Sequence, residues 1–171
     1  MVHRAGSPDE PDDAFEALFR REFSSISRTA YLIVGDWEVA REISQDAFVQ
    51  VLRHWEKVKE MESPGGWVRR VAIRKAVRSR RRDTQGRALE HANVQRLVGE
   101  PSIAGLDVHR AVLTLPRRQR AAIVLHYFED RPVSEIATLL GCGEVTVRTH
   151  LARGRQALAE RLGEDFTDDA G

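Results

Sequence analysis

The sequence predicts an all-α protein made of two small helical domains joined by a flexible linker, the second ending in a helix-turn-helix. Three observations carry this. Apolar residues recur three and four positions apart in each patterned block, and no alternating run suggests a strand. A polar stretch, Asp83 to Ser102, interrupts that pattern with glycines and a proline. Near the end, two short amphipathic segments meet at the glycine-bracketed turn Gly141-Cys142-Gly143.

The first element follows an acidic leader, residues 1–13, with the composition of a disordered segment. Phe15, Leu18, Phe19, Phe23, Ile26, Ala30 and Ile33 then describe an inward face on a helix that stops near Gly35. Asp36 is placed to cap a second helix, with Ala40, Ile43, Ala47, Phe48, Val51, Leu52 and Trp55 inward. Its opposite face displays Glu42, Gln45, Asp46 and Gln50, which by themselves suit a solvated surface. Residues 57–66 read as a loop ending in Ser63-Pro64, a cap followed by a proline at the first helical position. A third helix, from about Gly66 to Asp83, turns Trp67, Val68, Val71, Ala72 and Ala76 inward.

Beyond the linker, residues 84–104, the second block opens with a short helix around Asp107 to Leu113. Pro116 to Phe128 follows as a helix, with Ala121, Val124, Leu125 and Phe128 inward. Val133, Ile136, Ala137 and Leu140 then mark a helix opened by Pro132, and Val147, Leu151, Gly154, Leu158 and Leu162 mark the buried stripe of the last one. The expected domains are thus 14–83 and 105–163, with an acidic tail at 164–171.

Composition sets the outer limits. The chain has 171 residues, 42% of them hydrophobic, and a net charge of only +1. That balance hides segregation: Arg69, Arg70, Arg74, Lys75, Arg78, Arg80, Arg81 and Arg82 form a run with no acidic residue inside it, while both termini are acidic. A lone cysteine, Cys142, excludes an internal disulfide and suits a reducing compartment, where it reads as a packing residue. Without an apolar leader or a stretch of ~18 apolar residues, neither secretion nor membrane insertion is expected, and the cytoplasm is the expected location.

The last helix poses the functional question. Outward from its stripe it carries Thr146, Thr149, His150 and Arg153 in one row, with Glu144, Arg148 and Arg155 beside it. An αα-hairpin in a bundle would share the apolar spacing. The outward chemistry favours DNA, because arginine and threonine donate to phosphates and base edges and glutamate accepts from cytosine.

Taken together, "AREISQDAFVQVLRHWEKV", "SPGGWVRRVAIRKAVRSRRR" and "LTLPRRQRAAIVLHYFEDRPVSEIATLLGCGEVTVRTHLARGRQAL" resemble, in order, an extracytoplasmic-function (group 4) RNA polymerase sigma factor of the sigma-70 family. The likeness runs from about Asp13 to Leu162. It implies a σ2-like first domain that docks its second helix on the coiled coil of the polymerase β′ subunit, through Glu42, Gln45, Asp46 and Gln50. It also implies −10 promoter contacts from Lys57, Lys59, Arg69, Arg70, Arg74, Lys75 and Arg78. For the σ4-like second domain, working beside the β flap, it implies −35 contacts from Glu144, Thr146, Arg148, Thr149 and Arg153, with Arg117, Arg118 and Arg155 on phosphates. Promoter DNA and core polymerase are the implied partners, and the family leaves room for an anti-sigma factor. Arg74 stands where many members have asparagine, which favours a phosphate contact there. The 57–66 loop lacks an aromatic residue to stack on a base, and Trp67 reads as core. Gly143 replaces the serine or proline often found there and caps the helix less well.

Two rivals remain at this level. A free-standing helix-turn-helix regulator would share the second block, and would bind its operator without polymerase. An enzyme is third: the six histidines are scattered, His126 and His150 read as ordinary helix residues, and no nucleophile elbow, Walker, dinucleotide or zincin pattern occurs. No catalytic residue, metal or cofactor is expected.

Overall fold

The computed structural model describes residues 13–79 and 103–163; the leader, the acidic tail and nearly all of the linker expectation lie outside them. Among the described residues every regular element is helical.

Helix α1 (Asp13–Val34) ends where expected, because Gly35 takes a left-handed φ of 78° and its N–H closes on the Tyr31 carbonyl at 2.7 Å. Asp36 then caps α2 (Trp37–Arg53), its Oδ1 accepting from the Val39 N–H at 3.0 Å. One turn, α3 (Trp55–Val58), occupies part of the expected loop. Ser63 caps α4 (Pro64–Arg78) by accepting from the Gly66 N–H at 3.1 Å, with Pro64 inside the first turn.

These helices pack around Ile26, Ile33, Ala40, Ala47, Val51, Val58, Val68 and Ala76, all at or within 1% of complete burial. Each large aliphatic among them contributes ~1.5–3 kcal/mol of transfer free energy. Phe15, Phe19, Phe23, Phe48 and Trp55 form an aromatic cluster over one end, joined by edge contacts and one stacked pair. Two residues expected inward are exposed: Phe19 lies on the outside of this cluster, and Leu52 is half exposed. Both stand at the margin of a stripe, where helical spacing does not separate the last covered position from the first uncovered one.

Helix α4 stops five residues earlier than expected. Ser79 leaves the helix with an extended ψ of 126°, and its carbonyl and that of Ala76 both accept from Arg117. The second half begins with α5 (Ile103–Leu113), four residues before the expected start. The expected 116–128 helix divides into α6 (Arg117–Ile123) and a π-helical turn, Val124–Phe128. The Glu129 N–H closes that wider turn on the Val124 carbonyl at 3.1 Å. The extra residue rotates Phe128 outward, against the expectation that it faces the core, and its ring meets His109 edge-on at 5.5 Å.

Helix α7 (Val133–Leu140) and helix α8 (Glu144–Leu162) complete the chain. Gly154, fully covered on α8, is where α8 crosses α6: a Cβ there would lie 2.7 Å from Ile123 Cγ1. The two halves also pack on each other, with α6 and the π turn lying along α1. At their junction Arg120 is completely buried and donates to the Ile33 carbonyl from Nε (3.2 Å) and Nη2 (3.0 Å). Its Nη1 reaches the Leu113 and Leu115 carbonyls at 3.2 and 3.5 Å.

Candidate nucleic-acid interface

The helix-turn-helix is closed by backbone geometry. Gly141 sits at φ 64°, ψ 41°, the left-handed region in which glycine is unstrained. From there the Cys142 N–H reaches the Ala137 carbonyl (3.0 Å) and the Gly141 N–H the Thr138 carbonyl (3.3 Å), a Schellman pair that satisfies the last carbonyls of α7. Cys142 is half buried and packs against the core, as its reading as a packing residue requires. Gly143 supplies the N-cap of α8 with no side chain to accept the first N–H groups. Those donors at the start of the helix therefore lack a side-chain cap.

Val147, Leu151, Gly154 and Leu158 are buried as a stripe, which leaves Glu144, Thr146, Arg148, Thr149 and Arg153 exposed together on the other side of α8. Arg148 pairs with Glu144 one turn back at 3.1 Å, an exposed contact worth a few tenths of a kcal/mol that a better partner displaces easily. Thr149 returns its hydroxyl to the Val145 carbonyl at 3.0 Å. Val145 itself is 76% exposed, the most open large apolar side chain described, at the head of this face. Sequence reading passed it over, although its position off the Val147–Leu151 stripe was the available signal. Arg155 lies farther along, half buried, donating to the Tyr127 hydroxyl at 3.4 Å.

Arg118 is exposed at the flank and donates to the Leu140 carbonyl at 2.6 Å, tying α6 to the end of α7. Between it and Arg153 lies His150, whose Nδ1 is buried without a hydrogen-bond partner. Burial holds its imidazole below the ordinary histidine range, and the Arg118 and Arg153 cations add to that. Arg117 does not join this face; its guanidinium is held by the Ala76 and Ser79 carbonyls of the first half.

The cations expected on the first half divide in the same way. Arg70, Arg74 and Arg78, four residues apart, are exposed along one side of α4. Arg74, Lys75 and Arg78 line a groove with Val71, Ser79 and Gln50. Lys57 is exposed on α3, and Lys59 pairs with Glu56 at 2.7 Å. Arg69 turns the other way, reaching Ser25 Oγ (2.7 Å), Glu129 Oε1 (2.9 Å) and Thr29 Oγ1 (3.4 Å), with Glu22 at 3.6 Å. Trp67 is partly buried against the core.

On α2, Glu42, Gln45 and Asp46 are exposed together, while Gln50 is half buried and belongs to the cationic groove. Asp46 lies 3.8 Å from Lys75, so the acidic face and the basic groove adjoin. Val49 and Leu52 are exposed on the same helix, an apolar component that the reading by charge did not include. Among the described residues no group of carboxylates, histidines and cysteine could hold a metal ion, and no helix is long and apolar enough to cross a membrane.

Two family models match the chain. Residues 18–86 match the family described as Sigma-70 region 2, and residues 105–158 match Sigma-70, region 4. The chain is 27% identical over 140 residues to the RNA polymerase sigma factor SigV of Bacillus subtilis, covering 81% of this chain and 84% of that one. It is 28% identical over 152 residues to the ECF RNA polymerase sigma factor SigM of Mycobacterium tuberculosis, covering 88% of this chain and 78% of that one. Among solved structures, the fold is similar to that of the sigma factor RpoE in its complex with the anti-sigma factor NepR from Bartonella quintana. There the TM-score is 0.60 at 17% identity, over 90% of this chain and 99% of the other.

Proposed function

The chain belongs to the sigma-70 family of RNA polymerase sigma factors, in its extracytoplasmic-function branch, and from that premise we propose how its residues divide the work. It is an alternative sigma factor, which binds core RNA polymerase, directs it to specific promoters and leaves the nucleotidyl chemistry to the polymerase. Its place of work is the cytoplasm, with the chromosome.

Residues 105–163 read the −35 element as duplex. The observation that carries this is the exposed row Glu144, Thr146, Arg148, Thr149 and Arg153 at the start of a helix whose opposite stripe is buried. Arg148 reads a guanine edge, Glu144 accepts from cytosine and Val145 meets a thymine methyl, while Arg118, Arg153 and Arg155 hold phosphates. Arg117 joins them once it is released from the first half.

Residues 14–83 hold the −10 element. Arg70, Arg74, Lys75 and Arg78, with Lys57 and Lys59, offer a cationic track for the non-template strand. Glu42, Gln45 and Asp46, with Val49 and Leu52 beside them, dock on the β′ coiled coil. The structural neighbour was solved with an anti-sigma factor, and a partner of that kind would hold this chain inactive by covering the same surfaces.

The deciding experiment adds the purified chain to core polymerase on genomic promoter fragments. Initiation at defined start sites that core polymerase alone ignores is the expected result. A tight dimeric footprint on a palindromic duplex by the chain alone, with no effect on polymerase, would replace this reading with the free-standing regulator.

A further inference from the structure

Gln45 and Gln50 stand on the same helix, α2, yet they face different neighbours. At about 100° per residue, Gln50 is turned about 140° from Gln45 and about 100° from Val49. Gln45 is exposed beside Glu42 and Asp46, whereas Gln50 is half buried where α2 meets α4. One turn earlier, Asp46 Oδ2 lies 3.8 Å from the Lys75 ammonium and marks the border between the two surfaces. The glutamine that its spacing groups with the polymerase face thus lies in the basic groove.

That groove has a simple chemistry. Arg74, Lys75 and Arg78 supply cations, Val71 an apolar wall, and Ser79 and Gln50 the neutral polar groups. Its volume is about 460 Å³, within the ~300–1,000 Å³ of sites that hold a small ligand. Arg74 and Arg78 are one turn apart, roughly 6 Å along the helix axis, so they suit successive phosphates of a strand. Phosphate contacts position a strand but carry no sequence information. A serine hydroxyl donates and accepts alike, and so discriminates poorly. The Gln50 amide is different. It holds a donor and an acceptor side by side, and among the described residues no hydrogen bond engages it; His54 Nδ1 takes only the main-chain carbonyl, at 2.9 Å.

We infer that Gln50 reads a base of the −10 element: one nucleotide of the non-template strand seats in this groove, its phosphates on Arg74 and Arg78, its base against Val71 and its edge on the Gln50 amide. The inference rests on the sigma-factor reading for the identity of the strand. Adenine is the base that fits, because its N6 donates and its N7 accepts, and a glutamine amide completes both bonds at once. An unpaired base offers its edges to a side chain in a way that a stacked one does not. The cations hold the strand, and Gln50 selects within it.

The experiment measures two affinities of the full chain. The first is for core polymerase. The second is that of the resulting holoenzyme for a promoter fragment whose non-template −10 strand is unpaired, with each position carrying adenine, 7-deazaadenine or one of the other three bases in turn. Wild type should favour adenine about tenfold at one position, the discrimination of a bidentate pair, and 7-deazaadenine should lose it for want of N7. Gln50→Ala should abolish the preference at that position alone and leave the affinity for core polymerase unchanged. Gln50→Met, similar in length and in helix propensity, should do the same and is the variant to read if alanine lowers helical circular dichroism. Gln45→Ala should do the reverse, weakening core binding and keeping the preference. An adenine preference that survives both Gln50 variants would overturn the inference alone, and a loss of core affinity in its place would return Gln50 to the polymerase face. A preference for another base at the position that responds to Gln50 would overturn the choice of adenine. A wild-type holoenzyme with no base preference anywhere along the strand would sink the −10 reading of the first half, and the inference with it.

Discussion

The guanidinium of Arg120, completely buried on α6, donates from two nitrogens to the carbonyl of Ile33 in the last turn of α1. Ile33 is one of the carbonyls a helix leaves unpaired at its C-terminus, and a cation there also meets the negative end of the helix dipole. An arginine from one half of the molecule thus caps a helix of the other. The same cation, next to the buried Tyr31, partly offsets the rise that burial imposes on that phenol.

Replacing Arg120 with alanine leaves the Ile33, Leu113 and Leu115 carbonyls without this donor in a water-excluded site. The expected cost is on the order of 3 kcal/mol, read as a lower urea midpoint. Arg120→Lys keeps the charge but not the planar fork that serves carbonyls in two directions, so it should fall between the two. A midpoint identical to wild type for both variants would contradict the capping role.

At Gly154 two effects of opposite sign compete. Alanine would gain about 0.8–1 kcal/mol of helix propensity but would set its Cβ 2.7 Å from Ile123 Cγ1, in a contact without room. Overpacking of that kind costs about 1–3 kcal/mol, so Gly154→Ala should destabilise the second half. Made together with Ile123→Ala, the same change should cost less than alone, giving a coupling measurable by a double-mutant cycle.

Arg148 and Arg70 should separate two kinds of DNA contact. Arg148→Ala is expected to cost ~1–3 kcal/mol at the cognate −35 sequence and to blunt discrimination there. Arg70→Ala should weaken holoenzyme binding alike on all sequences and lower the salt dependence by about one unit of slope. Equal loss on cognate and scrambled −35 duplexes would reassign Arg148 to a phosphate.

His150 makes stability depend on pH in a defined direction. Its folded-state pKa lies below the unfolded value, so the unfolded chain binds more protons in the window between the two. Stability should therefore hold above neutrality, decline as pH falls through the ordinary histidine range near 6.5, and level off below the folded value. His150→Gln should remove that part of the profile in thermal melts at stepped pH; an unchanged slope would mean the group titrates as it does unfolded.

The sequence by itself determined the order of the main helices, the Asp36 and Ser63 caps and the face that α8 leaves outward. Those features depend on contacts within four residues: the Asp36 and Ser63 caps, the left-handed Gly35 and Gly141, and the Val147–Leu158 stripe were all legible. Tertiary structure alone decided which cations remain available. Arg69 and Arg70 are neighbours in one basic run, yet one faces outward and the other is held by Glu129, sixty residues away. Arg117 likewise reads as a phosphate contact until the end of α4 comes to meet it, and nothing in the local pattern marks Arg120 as the residue that the end of α1 buries. Helical periodicity shows that a side chain leaves its own core, but not whether a distant element stands on that side. The π turn after Ile123 has the same origin: it turns Phe128 outward and sets Glu129 over α1, and its i→i+5 closure belongs to the packed pair of halves rather than to the pattern of either.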